Sequence, residues 1–173
     1  MIKIDLSKCT GCRSCEVACA FYHSGSVGVD GARIKVTHIY ETGIDGPVLC
    51  RQCCERYCLD CPQKALKLGS KGQVVASPTL CTLCGKCERR CPIGAIEKAG
   101  DLVYVCDLCG GDPRCVRACT LDAIHYEADV TETVSLKEFK KNSRGLDAEQ
   151  KRLRYVKSGA EQLRQYWLRE RRG

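Results

Sequence analysis

Alternating polar and apolar residues mark one early region of the chain as β-structure. Residues 33–40 run Arg-Ile-Lys-Val-Thr-His-Ile-Tyr, which alternates for most of its length. A period of two is typical of a strand with one buried face. Because Gly43–Gly46 supplies a turn before Pro47, the pattern predicts a β-hairpin or an edge pair of strands. His38 falls on a polar position of this alternation.

The C-terminal region has a helical period instead. Ser135-Leu-Lys-Glu138 predicts a capping box for a short helix, and Gly145 interrupts the pattern. Beyond Asp147, apolar residues recur at spacings of three and four on a stretch rich in Arg and Lys, which predicts one apolar stripe on a helix. That stripe consists of Leu153, Val156, Ala160, Leu163 and Trp167. It either covers the chain's own body or lies on a partner subunit, and we favour the partner.

Three segments repeat a short pattern in which a cysteine is followed by an alanine and an aliphatic residue. Each segment predicts a short helix that turns into a strand, and Pro62 and Pro92 end two of these helices. The alanines are small enough for close packing. The segments are Cys61-Pro-Gln-Lys-Ala-Leu, Cys91-Pro-Ile-Gly-Ala-Ile and Cys119-Thr-Leu-Asp-Ala-Ile.

Composition shows that an ordinary apolar core is not enough for this chain. Its 173 residues include 17 cysteines but only 2 Phe, 1 Trp and 1 Met, so another kind of cross-link is expected. The odd cysteine count and a start at Met1–Lys8 without an export pattern argue against a secreted disulfide scaffold. The apolar runs are too short to cross a bilayer. We therefore expect a cytoplasmic protein whose cysteines bind metal.

The cysteines form four groups, which constitutes an internal repeat. Groups one and three have the spacing Cys-x2-Cys-x2-Cys-x3-Cys, which is the bacterial ferredoxin pattern for 4Fe-4S clusters. The first three thiolates of such a run bind one cluster, and the fourth binds the neighbouring cluster. Zinc sites use two separated Cys-x2-Cys pairs, so zinc is disfavoured. The groups are Cys9, Cys12, Cys15, Cys19; then Cys50, Cys53, Cys54, Cys58, Cys61; then Cys81, Cys84, Cys87, Cys91; then Cys106, Cys109, Cys115, Cys119.

The residue after the last cysteine suggests how the groups pair. Groups two and three have proline there, whereas groups one and four have Ala20 and Thr120, so likeness favours a nested pairing of one with four and two with three. Consecutive pairing is the alternative. The nested pairing predicts four ligand sets: set 1, Cys9, Cys12, Cys15 and Cys119; set 2, Cys19, Cys106, Cys109 and Cys115; set 3, Cys61, Cys81, Cys84 and Cys87; set 4, Cys50, Cys53, Cys58 and Cys91.

Group two is irregular, and this leaves the number of clusters open. The position four residues before Cys61 is Tyr57, whereas the other groups carry their third cysteine there. Cys58 is displaced by one residue, and Cys54 is a spare that is able to substitute for it. The sequence therefore predicts four 4Fe-4S clusters, or three if group two fails. Group four is stretched instead by Gly110–Arg114, which contains a turn sequence.

Residues 1–127 resemble the four-cluster, double bacterial-ferredoxin-like electron-transfer subunits of molybdenum and tungsten oxidoreductases. The resemblance rests on Cys-Thr-Gly-Cys-Arg-Ser-Cys-Glu-Val-Ala-Cys, Cys-Thr-Leu-Cys-Gly-Lys-Cys-Glu-Arg-Arg-Cys-Pro and Cys-Asp-Leu-Cys-Gly-Gly-Asp-Pro-Arg-Cys. Within that family the chain is most similar to the small subunits of tungsten aldehyde oxidoreductase and of tungsten-type benzoyl-CoA reductase. The resemblance implies nested pairing and a role in passing single electrons.

The implied fold is α+β, with two 4Fe-4S ferredoxin-like modules, small β-hairpins and a C-terminal helical extension. Module A is expected to comprise residues 1–49 and 99–130, and module B residues 50–98. Residues 131–173 are expected to form a basic helical tail that docks on a partner. The implied partner is a larger tungsten- or molybdenum-pterin catalytic subunit. A flavin protein or a ferredoxin is a further candidate partner, and a higher oligomer is a further candidate state.

Other functions remain as alternatives. A free polyferredoxin carrier and an electron-transfer subunit of hydrogenase or formate dehydrogenase share the same chemistry. The more distant alternative is a zinc-dependent nucleic-acid-binding protein, because residues 137–173 carry 12 Lys and Arg against 5 Asp and Glu. No nucleotide-binding loop and no Ser/His or carboxylate grouping suggests catalysis. We therefore expect no catalytic residue in this chain, and we expect His23, His38 and His125 to be structural or exposed.

Overall fold

The computed structural model describes residues 1–128 and 133–171. Within these ranges the chain forms five helices and eight short strands, together with 3-10 turns at Tyr57–Leu59 and Leu108–Gly111. This mixture of helices and small sheets confirms the predicted α+β class. The helices are α1 (Ser14–Ser24), α2 (Lys86–Arg90), α3 (Arg114–Arg117), α4 (Lys137–Lys141) and α5 (Ala148–Glu170).

The strands pair into four antiparallel two-stranded sheets. Three are local hairpins, whereas the fourth joins the first strand to the last, with Ile2 opposite Tyr126 and Ile4 opposite Ile124. The pairs are β1 (Ile2–Ile4) with β8 (Ile124–Tyr126), β2 (Lys35–Ile39) with β3 (Ile44–Val48), β4 (Leu66–Leu68) with β5 (Val74–Ala76), and β6 (Ile96–Ala99) with β7 (Leu102–Val105).

The hairpin predicted from residues 33–48 is confirmed, but its turn lies earlier than expected. The turn spans residues 40–43, whereas Gly46 lies inside β3 opposite Thr37. A Cβ atom at Gly46 would approach Leu6 Cδ2 to 2.7 Å and Val156 Cγ1 to 2.8 Å. This glycine therefore serves close packing against α5, and it was wrongly assigned to the turn.

The three repeated segments have the predicted form. They lead into β4, β6 and β8, and the alanines Ala65, Ala95 and Ala123 are buried. The residue before each alanine has a positive φ, at 51° for Lys64, 65° for Gly94 and 51° for Asp122. Only Gly94 needs to be glycine for space, because a Cβ there would lie 2.0 Å from the carbonyl oxygen of Ala148.

The capping box predicted at Ser135 is wrong. The Ser135 hydroxyl donates to Glu55 Oε1 at 2.6 Å, and no side chain of the described residues caps α4. The capping box is at the start of α5 instead. There Asp147 Oδ1 accepts a hydrogen bond from Gln150 N at 2.8 Å, and Asp147 N donates to Gln150 Oε1 at 3.0 Å.

Helix α5 packs on its own chain through the middle of its apolar stripe. Val156 is 2% exposed and Ala160 0% exposed, and the helix lies against β2 and β3. Leu153 and Trp167 are 44% and 40% exposed. Part of the stripe therefore covers the chain's own hairpin, which corrects the expectation that the stripe as a whole faces a partner. None of the helices in the described residues has the length and hydropathy required to span a membrane.

Candidate metal centres

The four cysteine groups share one feature of backbone conformation. In each group the residue before the second cysteine is left-handed, with φ of 68° at Gly11, 48° at Gln52, 56° at Leu83 and 59° at Leu108. Three of these residues are not glycine, so the conformation is held against its intrinsic free-energy cost by the surrounding structure. A left-handed residue reverses the local course of the chain, which turns the cysteines of one loop toward a common centre.

A second left-handed residue identifies the third cysteine of group two. Arg13 and Gly85 precede Cys15 and Cys87 by two residues and have φ of 62° and 68°. Arg56, with φ of 44°, precedes Cys58 by the same spacing. Cys58 is buried, whereas Cys54 is exposed. The loop therefore places Cys58, and not Cys54, in the position equivalent to the third cysteine.

Within set 1, and likewise within set 2, thiols from cysteine group one lie close to thiols from group four. Burial raises the pKa of Cys9, and the neighbouring Asp45, Cys12 and Cys119 raise it further. Burial also raises the pKa of Cys115 to about 12, with further contributions from Cys19 and Cys109. Residues from groups one and four are thus neighbours in the folded chain.

Thiols from groups two and three also meet. Burial raises the pKa of Cys50 to about 12, and Cys91 and Cys53 add to the rise. Burial likewise raises the pKa of Cys58, with contributions from Cys50, Cys91 and Cys53, so all four members of set 4 are close together. In set 3, burial raises the pKa of Cys87, and Cys81 and Cys61 contribute. Cys84 belongs to the same loop and is exposed.

These thiols have the chemistry that an iron–sulfur cluster requires. Cysteine thiolates hold 4Fe-4S clusters, and a metal centre compensates the burial that otherwise opposes ionisation of a thiol. Backbone amides of three residues already point at the sulfur atoms. Arg33 N lies 3.2 Å from Cys19 Sγ, Ala95 N 3.3 Å from Cys91 Sγ, and Ala123 N 3.3 Å from Cys119 Sγ. Such donors stabilise the thiolate form and were not found from the sequence.

The histidines take different positions. His38 Nδ1 lies 2.7 Å from Asp45 Oδ1, and His125 is exposed on β8. His23 Nε2 lies 3.5 Å from Asp107 Oδ1 and 3.9 Å from Cys109 Sγ. Sequence spacing gave no indication of this contact because His23 and Cys109 are 86 positions apart. Burial lowers the pKa of His23, which favours the neutral imidazole.

Comparison with known proteins identifies the class. Two family models described as 4Fe-4S binding domains match residues 1–24 and 74–97. The chain is 40% identical over 122 residues to the polyferredoxin-like subunit of aliphatic sulfonate oxidoreductase from Pyrococcus furiosus, covering 68% of this chain and 70% of that protein. It therefore belongs to the 4Fe-4S ferredoxin-type electron-transfer proteins.

Two further relatives are similar over comparable lengths of this chain. The putative electron transport protein YsaA of Escherichia coli is 33% identical over 137 residues, covering 69% of this chain and 84% of that protein. The beta subunit of NADH-dependent phenylglyoxylate dehydrogenase from Aromatoleum evansii is 35% identical over 132 residues, covering 72% of this chain but only 29% of that protein. These relatives are electron-transfer proteins or oxidoreductase subunits, which agrees with the iron–sulfur chemistry of the cysteine loops.

Proposed function

We propose that the chain is an electron-transfer subunit with four 4Fe-4S clusters. It relays single electrons between a tungsten- or molybdenum-pterin catalytic subunit and an external donor or acceptor, in the cytoplasm. Each cluster, when bound, accepts and releases one electron. The observation that carries the proposal is the convergence of cysteine thiols from groups one and four and from groups two and three. Sets 1 to 4 are the proposed ligands, with Cys54 left out.

The thiol neighbours also support an order of the four sites. Burial raises the pKa of Cys15 in set 1 to about 12, and the neighbouring Cys115 of set 2 raises it further. Burial raises the pKa of Cys106 in set 2, and Cys50 of set 4 contributes. Set 4 continues to set 3 through α2, which contains Cys87 of set 3 and ends directly before Cys91 of set 4. The proposed order is set 1, set 2, set 4 and set 3, so the two ends of the relay lie in different modules.

The protein's own contribution is to hold, shield and tune these sites. Apolar residues pack beside the cysteines in two buried clusters and exclude water. The amides of Arg33, Ala95 and Ala123 donate to sulfur atoms, and such hydrogen bonds raise reduction potentials. The proposed modules are residues 1–49 with 99–130, and residues 50–98. The nested cysteine contacts support the pairing of groups within each module, whereas the proposed boundary at residue 98 falls inside β6.

The partner assignment rests on the relatives and on the far end of α5. One relative is named as a subunit of an oxidoreductase, and this supports a larger catalytic partner for the present chain. Tyr166, Trp167 and Leu168 are exposed at 55%, 40% and 53%. This apolar end extends past the part of α5 that packs on the hairpin, and we propose that it docks on the catalytic subunit. The tungsten aldehyde oxidoreductase and benzoyl-CoA reductase families are the proposed setting.

Metal analysis of the complex tests the proposal. Protein purified without oxygen from its native host is expected to contain about 16 iron atoms per chain, together with tungsten or molybdenum in a larger co-purifying subunit. Cys58→Ser should lower the iron content to about 12, whereas the matched variant Cys54→Ser should leave it near 16. Equal losses in both variants would contradict the assignment of set 4. Zinc in place of iron would favour the nucleic-acid alternative and overturn the redox function.

A further inference from the structure

A cleft of about 850 Å³ opens between α4, the start of α5 and the loops that carry groups two and three. Its walls come from separate parts of the chain. Tyr57 precedes Cys58 directly, and Arg89 lies between Cys87 and Cys91 on α2. The cleft therefore adjoins set 3 and set 4, at one end of the proposed order of sites.

Six cationic side chains line this cleft. In residues 1–128 and 133–171, none of them forms a salt bridge, because no carboxylate oxygen lies within 4.0 Å of its charged nitrogens. Asp147 is the one acidic residue in the lining, and its carboxylate already caps α5. The six are Arg89, Lys137, Lys140, Lys141, Arg144 and Lys151.

The cations occupy two levels. Lys151 is only 2% exposed, and its Nζ donates to the carbonyl oxygens of Glu88 at 3.3 Å and Arg89 at 3.1 Å. Lys140 Nζ donates to Arg90 O at 3.0 Å. Burial lowers the pKa of Lys140, and the neighbouring charges of Arg90 and Lys151 lower it further. Lys137, Lys141 and Arg144 remain exposed at the rim, where a partner can reach them.

We propose that this cleft docks the acidic face of a small electron-carrier protein. The inference rests on the proposed function and adds the place and charge of the external partner. The rim cations Lys137, Lys141 and Arg144 have no salt-bridge partner among the described residues, and they gain free energy when a surface of opposite charge approaches. A protein is favoured over a free anion because the exposed cations form a broad rim, beside redox sites that the partner has to approach. Electron transfer then needs no covalent step, since one electron passes from the carrier to the chain.

Charge reversal at the rim tests the proposal. Lys137→Glu/Lys141→Glu is compared with Lys67→Glu/Lys98→Glu, which changes the same number of exposed lysines outside the cleft. The complete complex is mixed without oxygen with a reduced, acidic two-cluster bacterial ferredoxin. At low salt, the rim variant should accept electrons about tenfold more slowly than wild type, because electrostatic steering is lost. The control should stay within about twofold, and high salt should shrink the difference.

Several outcomes would overturn the docking site. Equal rates in wild type and the rim variant would do so, and so would equal slowing in both variants, since net charge alone would then explain the effect. If the charge-reversed variant loses iron, Lys137→Gln/Lys141→Gln replaces it, because this variant removes the two positive charges without adding negative ones. Reduction by photoreduced deazaflavin, which needs no docking site, distinguishes failure of the proposed function from failure of the docking site. If the wild-type complex takes up no electrons from it, the proposed function fails, whereas normal uptake with no rim effect rejects only the docking site.

Discussion

At the scale of single residues, buried charge is concentrated around the cysteine loops. Lys151 is almost fully buried, and its ammonium donates hydrogen bonds to two carbonyl oxygens near the end of α2. Burial lowers the pKa of Lys151, whereas the Cys91 thiol raises it. Because a buried ammonium needs a nearby negative charge, a cluster at Cys91 is its natural counter-charge. Lys151 thus places a positive charge of the tail beside the cluster proposed at set 4.

Replacing this lysine should change one reduction potential. Lys151→Met removes the charge while keeping a long side chain, and we expect the potential of the set 4 cluster to become more negative, since nearby positive charge favours the added electron. EPR-monitored redox titration of the complex measures each cluster. Lys157→Met, on an exposed part of α5 beside Glu41, is the control and should leave the potentials unchanged. Identical potentials in wild type and Lys151→Met would contradict the electrostatic role.

Glu16 is a second buried charge with a clear structural task. Its carboxylate is fully buried, accepts a hydrogen bond from Arg13 Nε at 2.7 Å and also accepts one from the backbone amide of Val36. Glu16 thereby ties the first cysteine loop to strand β2.

Removal of this acceptor should destabilise the fold. Glu16→Ala leaves the Val36 amide without its partner, which should lower the free energy of unfolding by about 1–3 kcal/mol. Glu16→Gln retains an acceptor oxygen and should be intermediate. The temperature at which the iron–sulfur absorption is lost, measured without oxygen, should fall in the order wild type, Gln, Ala. A Gln variant less stable than the Ala variant would refute this account.

At the scale of elements, the hydrophobic pattern predicted the β2–β3 hairpin and the long basic helix well. The predictions for single residues were less accurate where tertiary contacts determine the structure. Gly46 is a packing residue because α5 crosses the hairpin there, and no local signal reveals that crossing. The sequence favoured Cys58 but kept Cys54 as a possible substitute, because the distinguishing feature is a left-handed Arg56, a conformation that arginine seldom adopts.

The capping box gives a direct test of one such correction. Asp147→Ala should lower the stability of α5 by about 1 kcal/mol, because Gln150 N loses its acceptor at the helix start. Hydrogen exchange of the amides in the first turn of α5 should accelerate correspondingly. Ser135→Ala, which removes the hydroxyl of the wrongly predicted box, should leave exchange in that turn unchanged. Faster exchange there in Ser135→Ala would instead show that the two sites are coupled.

At the scale of the whole molecule, the cysteines belong to the core itself. Cys58 and Cys91 lie in one buried cluster with aliphatic residues, and Cys15, Cys19 and Cys115 lie in the other. From the few large apolar residues and the many cysteines, the sequence predicts that bound metal helps to hold the fold together. The folded contacts add that both cores, and not only the loops, include proposed ligands.

Removal of iron should therefore unfold the molecule. Oxidative loss of the clusters in the presence of a chelator should abolish the cooperative thermal transition seen by circular dichroism, because metal binding supplies folding free energy. Protein kept in the same chelator without oxidant should retain both colour and transition. A cooperative transition in iron-free protein would show that the aliphatic core is sufficient alone.

The pairing of β1 with β8 has a consequence for biosynthesis. Ile4 pairs with Ile124, so β1 cannot form its sheet until about 120 further residues have been synthesised. At the usual pace of a ribosome this takes roughly 6 to 24 s. Residues 50–98 contain all eight proposed ligands of sets 3 and 4 within a short stretch, so these two sites are able to close earlier. On the proposed pairing, the amino-terminal cysteines emerge first and their sites are completed last, so we expect these thiols to be exposed longest to oxygen and to competing metals.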